Sequence, residues 1–243
     1  MTSQGSDLFD YPKQAGFNRV VPKWKIYEHA KANAALKEKF VQEVDKIIWA
    51  YKLAPETIKL DATKSVPEIQ VFSISLKTGK LDEVVLRAID KAIPFPLIFE
   101  LTWRGQRKAV AAFKRQSEAD STKWVVSEYF ATNWVPEETA RMPLPVALDL
   151  GALYDRLLTA IMSPEMSAPG QGDDDIQARV DRMEAIRAKT REVERIKIRL
   201  AREKQYNKRV AINAELRKAN QELAELQYSG VRRAGSRLTS TNI

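Results

Sequence analysis

Apolar and polar positions follow two regimes along this chain. Up to about residue 162 they fall into short blocks separated by prolines and turn residues, and all 11 prolines lie at or before Pro169. From residue 173 to 229 there is neither Pro nor Gly. In the first regime, residues 27–52 are predicted to form a helix, because Phe40, Val44, Ile47, Ile48 and Tyr51 step by i, i+4, i+7, i+8 and i+11 onto one face. "EIQVFSISL", residues 68–76, is predicted to be a strand. Its Phe72, Ile74 and Leu76 point one way and its Ile69 and Val71 the other, so both faces are covered. Residues 81–92 form a short helix with Leu81, Val84, Val85, Ala88, Ile89 and Ala92 on one side. Asp82 and Glu83 stand in its first turn, where the helix dipole favours anions.

"PFPLIFELTW", residues 94–103, starts the next strand. Leu97, Phe99, Leu101 and Trp103 alternate onto one face, and Pro94 and Pro96 are tolerable only at its beginning or edge. "RGQR", residues 104–107, is predicted to be a hairpin turn leading to strands over 108–115 and 124–130. A helix over 148–162 closes the unit, with Leu150, Leu153, Leu157 and Ile161 on its buried side. Strand, helix, strand permits a right-handed parallel crossover, and the later strands pair antiparallel. The fold class is therefore α+β, or mixed α/β, with a small sheet covered by helices.

The second regime begins after "SPEMSAPGQGDDD", residues 163–175, which has the composition of a linker. The division is a globular domain over 1–162, a linker over 163–175, a coiled-coil-like helical arm over 176–228 and a flexible tail over 229–243. As one continuous helix the arm would be about 75–80 Å long, a length that points to coiled coil. Met183, Ile186, Thr190, Val193, Lys197 and Leu200 step in threes and fours, as do Ile212, Leu216, Ala219, Leu223 and Leu226. The two seams are out of register by about a residue across "AREKQYNKRVAINAELRKAN", residues 201–220. Either the arm turns back there as an antiparallel hairpin, or it runs on and its polar middle meets something other than an apolar seam.

Charge sharpens that picture. The formal net charge is +8, and residues 173–237 hold 17 Lys/Arg against 11 Asp/Glu, leaving the rest of the chain nearly balanced. Residues 187–209 alone hold 10 basic and 3 acidic residues. A phosphate backbone suits such a face, because each neutralised phosphate releases counterions. Arg195, Arg199, Arg202, Lys204, Lys208 and Arg209 are the candidate polyanion contacts, with Tyr206 and Asn207 beside them for a base or sugar. Leu216, Leu223 and Leu226 are the candidates for oligomer or partner packing.

The chain has no cysteine. That excludes disulfides, zinc–thiolate sites and thiol nucleophiles, and it fits a cytoplasmic location. No run has the length of a membrane-spanning helix, and the first ten residues lack a signal pattern. No catalytic residue, metal site or cofactor is assigned. The single histidine, His29, cannot build a triad or a His-based metal site by itself. Magnesium chemistry needs acids at strand ends near a lysine. Glu68, Glu100, Lys108, Lys114 and the loop residues Asp120 and Lys123 are the candidates for a nuclease of that kind. "NRVVPKWKIYEHAK", residues 18–31, interleaves Arg19, Lys23 and Lys25 with Trp24 and Tyr27, a pattern that can grip a single strand. Its Val20, Val21 and Trp24 are read as an apolar clamp onto the sheet.

Several stretches together, "LFDYPKQAGFNRVVPKWKIYEHA", "IIWAYKLAPETIKLDATKSVPEIQVF", "AIDKAIPFPLIFEL", "EADSTKWVVSEYF", "PLPVALDLGALYDRLL" and "REKQYNKRVAINAELRK", resemble the bacterial family catalogued as domain of unknown function number 4391. The resemblance spans residues 8 to about 226, arm included. It implies no catalytic residues. It implies a context, since members of that family tend to lie in gene clusters beside a large helicase and a DNA methyltransferase, in loci that look like anti-phage defence. The expected function is a non-enzymatic accessory subunit of such a complex, with a basic arm that contacts DNA or the partner. The alternatives are a metal-dependent nuclease subunit and a purely structural coiled-coil homo-oligomeriser.

Overall fold

The computed structural model describes residues 8–117, 119–120, 123–162 and 176–235. The chain divides into two compact units, Met1–Ser163 and Pro164–Ile243. Residues 163–175, read above as a linker, lie outside the described residues, as do residues 236–243 of the expected tail.

The first unit opens with β1 (Phe9–Asp10), a 3-10 turn (Lys13–Ala15) and β2 (Gly16–Val20). Helices α1 (Lys23–Ala30) and α2 (Ala34–Glu43) lead into β3 (Val44–Leu53), the short α3 (Pro55–Ile58) and β4 (Ile69–Leu76). Helix α4 (Glu83–Ala92) crosses over to β5 (Leu97–Trp103), which turns into β6 (Gln106–Ala111). Five short strands follow, β7 (Lys114–Gln116), β8 (Trp124–Val126), β9 (Phe130–Ala131), β10 (Val135–Pro136) and β11 (Met142–Pro143), and then α5 (Leu150–Ile161). The main sheet is seven-stranded in the order β10-β6-β5-β4-β3-β2, with β9 also on β6. Within that sheet only β4 and β5 pair parallel, with Phe72 opposite Phe99, as the strand–helix–strand crossover requires, and β1 pairs parallel with β11 in a separate two-stranded ribbon. The fold is the expected mixed α+β sheet, followed by two long helices packed together.

The expected single helix over 27–52 is overturned twice: it breaks at residues 31–33, where Lys31 takes φ 52° and Asn33 caps α2, and its second half is not helical. Helix α2 stops at Glu43, and residues 44–53 form β3, which lies in the sheet between β4 and the edge strand β2. Two register irregularities against β4, between Val44 and Lys46 and between Trp49 and Tyr51, each displace the alternation. The buried residues of β3 therefore come at Val44, Ile47, Ala50 and Leu53. That spacing of three imitates a helical stripe, while Val44, Ile47, Ile48, Trp49 and Tyr51 are residue types that favour strands.

Elsewhere the pattern holds in outline. Asp82 is the N-cap of α4, accepting from the Val84 N–H at 3.0 Å. Arg104 and Gly105 both have positive φ, 48° and 71°, which suits a tight two-residue hairpin turn between β5 and β6. Phe40, Val44, Ile47, Phe72, Val85, Ile89 and Phe99 form the main core between the sheet and α1, α2 and α4. The expected strands over 108–115 and 124–130 are each broken. Chain 108–111 stays in the main sheet, whereas β7 and β8 pair with one another in a separate ribbon. The break at Ala112 and Phe113 turns Lys114 inward, for a reason given below.

In the second unit, α6 (Ile176–Arg202) and α7 (Tyr206–Gly235) are separate helices. The arm is thus a hairpin turning at residues 203–205. Those three residues are good helix formers, so propensity does not end α6. The out-of-register seams do. The turn lets Val193, Ile196 and Leu200 close on Ile212, Leu216, Ala219 and Leu223.

Candidate functional site

Two places concentrate unpaired charge, the hairpin turn and the entry segment of the first unit. At the turn, α6 ends with Arg199 and Arg202 in its last turn. Cations there complement the negative end of the helix dipole. Helix α7 begins at Tyr206, carries Lys208 and Arg209 in its first turn and has no acidic residue there. Cations at that end oppose the dipole, so folding alone does not account for them. Glu203 accepts from the backbone N–H of Gln205 at 2.8 Å, which holds its carboxyl below the usual carboxylate range.

All six candidate contacts, Arg195, Arg199, Arg202, Lys204, Lys208 and Arg209, are exposed, and Tyr206 beside them is 79% exposed. Residues 195–209 carry seven Lys/Arg and one acid. Arg195, Arg199 and Arg202 share one face of α6 by their spacing of four and three. Arg199 is committed to Glu215 across the hairpin. Further from the turn, Lys189 reaches Glu222 of the facing helix at 2.7 Å and Glu192 at 2.8 Å, which raises the Lys189 pKa and lowers that of Glu222. Among the described residues Arg195, Arg202, Lys204, Lys208 and Arg209 make no ion pair. Leu216 and Leu223 pack onto the α6 seam, and Leu226 is partly buried.

The acid and lysine candidates for metal chemistry do not converge. Glu100, on β5, is buried and takes a bidentate pair of 2.7 Å hydrogen bonds from Arg141. Arg141 also donates to the Phe9 carbonyl at 2.7 Å, so this pair bolts β1 and β11 to the sheet. Burial, and then the nearby Glu100, push the Tyr11 hydroxyl well above its ordinary pKa. Glu68 accepts from the Gln70 amide and faces Lys52 at 3.4 Å, and Lys52 is shared with Glu56 at 2.7 Å. Lys108 lies with its ammonium 4.9 Å over the Trp134 ring, and burial lowers its pKa. Asp120 and Lys123 pair at 3.0 Å within their own turn. Among the described residues no three His, Cys, Asp or Glu side chains stand close enough to share a metal ion.

Lys114 has no exposed side-chain surface. Its ammonium donates to the Asp90 and Ile93 carbonyls at the C-terminal end of α4 and faces the Asp90 carboxylate at 3.3 Å. A cation at that end satisfies carbonyls that the helix cannot. Tyr129 donates to the other Asp90 oxygen. Burial lowers the Lys114 pKa and raises those of Asp90 and Tyr129. This is the reason β6 ends at Ala111 and the chain turns inward. Lys23 does the same for α2, donating to the Phe40 carbonyl at 3.1 Å and to that of Val44.

The entry segment behaves differently from the clamp expected of it. Only Val21 packs on the core. Val20 and Trp24 are 58% and 59% exposed, because β2 is the sheet's edge strand and α1 turns Ile26 and Ala30 inward instead. Lys23 is spent on α2, which leaves Arg19 and Lys25 free of ion pairs among the described residues. Arg19 stacks its guanidinium 4.4 Å over Phe17, and the Lys25 ammonium is 5.7 Å from the Trp24 ring. Phe17 in turn lies 4.1 Å from Trp49 of β3. Sequence reasoning missed Phe17, Trp49, Arg141 and Asp90. Trp49, Arg141 and Asp90 each acquire their role from a partner more than 20 residues away, and Phe17, though two residues from Arg19, is placed by its contact with Trp49.

Among the described residues no helix is long and apolar enough to cross a membrane. Neither the curated proteins nor the solved structures hold a match to the chain. A family model does match, over residues 9–223, hairpin included. With that span, both units carry the family's pattern, and the chain belongs to the family described as domain of unknown function DUF4391.

Proposed function

We propose that this chain is a non-enzymatic accessory subunit of a bacterial helicase/DNA-methyltransferase defence complex, and that its hairpin turn is a DNA contact. One observation carries the DNA contact. Five exposed cations, Arg195, Arg202, Lys204, Lys208 and Arg209, stand at or near one turn that holds a single carboxylate, Glu203, and two of them lie against the helix dipole. A bound phosphate backbone would relieve that repulsion and release counterions. Support for an accessory role is that Glu68, Glu100 and Lys114 are each held by other protein groups. The complex itself rests on the genomic context that family resemblance implies.

The test is fluorescence anisotropy of a labelled DNA duplex across a salt series. It compares the full chain with a variant carrying Arg202→Glu, Lys204→Glu, Lys208→Glu and Arg209→Glu. The full chain should bind with a steep salt dependence, and the variant's log–log slope should be shallower by about 0.9 for each phosphate it no longer neutralises. Equal binding by both proteins would sink the DNA contact. Co-purification with a helicase or methyltransferase encoded beside the gene tests the complex.

A further inference from the structure

We infer that the first unit carries a second, separate binding site, a groove for single-stranded nucleic acid that passes from β2 and α1 over the end of α4 to β8. The groove consists of two adjoining clefts of about 410 and 780 Å³ that share His29, Ala92 and Pro94 as a common wall. Each cleft joins rings to cations. Phe17, Trp49, Arg19 and Lys25 line the first, and Trp124, Arg87, Lys91 and Lys123 line the second. Among the described lining residues Asp90 is the one carboxylate, and its two oxygens are turned to Lys114 and Tyr129. Arg87 is paired with Glu83 at 2.6 Å and Lys123 with Asp120 at 3.0 Å. Arg19, Lys25 and Lys91 are exposed and make no ion pair among the described residues.

The chemistry selects the occupant. Cations alone would suit any polyanion, and rings alone any apolar surface. Here guanidinium and ammonium groups lie on exposed or half-exposed rings at the β2 and α1 end, Arg19 on Phe17 and Lys25 on the bordering Trp24, and the second cleft adds one half-buried ring, Trp124, and the exposed Lys91. A chain of phosphates and unstacked bases matches rings set among cations over two adjoining clefts, because bases stack on rings and guanidinium planes while the backbone follows the charge. A duplex cannot offer its base faces. Phe17 and Arg19 flank Asn18, at φ 50°, within the register irregularity of β2 at the sheet's edge. This site shares no residue with the hairpin turn and does not depend on the proposal made for it.

The experiment is anisotropy of fluorescein-labelled (dT)20 and of a duplex of equal length, with the full chain in each case. Arg19→Glu with Lys91→Glu places one reversal in each cleft, both at exposed positions, and circular dichroism verifies the fold. The double variant should bind (dT)20 at least about tenfold more weakly, with a salt slope shallower by roughly 1.4, and should bind duplex within about threefold of the parent. Trp24→Ala should weaken (dT)20 by about fivefold or more. The hairpin-turn variant should keep most of its (dT)20 binding. The inference is overturned if the full chain does not bind (dT)20, or if the double variant binds it as the parent does. Displacement of (dT)20 by dTMP at an equal nucleotide concentration would also overturn it, in favour of a mononucleotide pocket.

Discussion

Lys114 in the first unit is closed in by Asp90, two carbonyls and the Trp124 ring, with no exposed side-chain surface. Lys204, Lys208 and Arg209 in the second unit stand in solvent without an ion pair. The contrast extends to the whole of each unit. The first buries Gln70, Asp90, Glu100, Arg107 and Lys114, and ties most of their polar atoms to protein partners. The described ion pairs of the second are exposed or half-exposed. A buried charge must be partnered, because the unpaired group costs several kcal/mol, on the order of 3–5 when one member is removed. An exposed charge is free to meet something else. Charges in the first unit are thus mainly structural, and those at the hairpin turn are available to a ligand.

The largest expected effect tests the structural half of that contrast. Lys114→Ala leaves Asp90 buried against carbonyls and should cost about 3–5 kcal/mol. All five tryptophans lie in the first unit, so urea unfolding followed by tryptophan fluorescence reads that unit alone. A loss below about 1 kcal/mol would mean that the cluster does not hold the unit together.

Next in size is the hairpin seam. Ile212→Ala removes one of the few buried side chains between α6 and α7 and should cost about 2 kcal/mol, the lower end for a buried aliphatic residue. Hydrogen exchange should show faster opening of 176–202 and 206–227 with β4 and β5 unchanged. Equal acceleration in both units would show that they unfold together.

Gly105→Ala tests the β5–β6 turn. Nothing stands within 4 Å of an added Cβ, so the cost of about 1 kcal/mol would come from φ at 71° alone. Replacement by Asn, which tolerates that conformation better, should recover part of the loss in the same urea titration.

The smallest effect concerns acid. Asp82 is held below its usual pKa, first by the hydrogen bond from Lys39 and then by the Val84 N–H. A depressed folded pKa contributes stability that is present above the unfolded value, about 3.9, and is lost as pH falls through the folded value. Asp82→Asn keeps the cap acceptor and removes the titration. Its stability should fall by less than about 1 kcal/mol at pH 7 and approach the parent's below pH 3 or so. A constant difference across that range would assign the effect to packing.

The sequence by itself determined the two regimes, the fold class and most elements. Amphipathic stripes in α4 and α5, alternation in β4 and β5 and the Arg104–Gly105 turn are local properties, set by period and by backbone preference. The exposed cations of the hairpin turn were legible too, because net charge over a short helical segment has nowhere to hide. Only the tertiary structure decided that residues 44–53 are a strand, since two register slips against β4 gave them a false helical spacing. Tertiary packing also decided that the arm folds back at residues 203–205, where burial of one seam on the other overrides good helix propensity. The same holds for Lys114, Glu100 and the groove between β2 and β8. Their roles depend on partners distant in the chain, and pairing across such distances leaves no periodic trace in a single sequence.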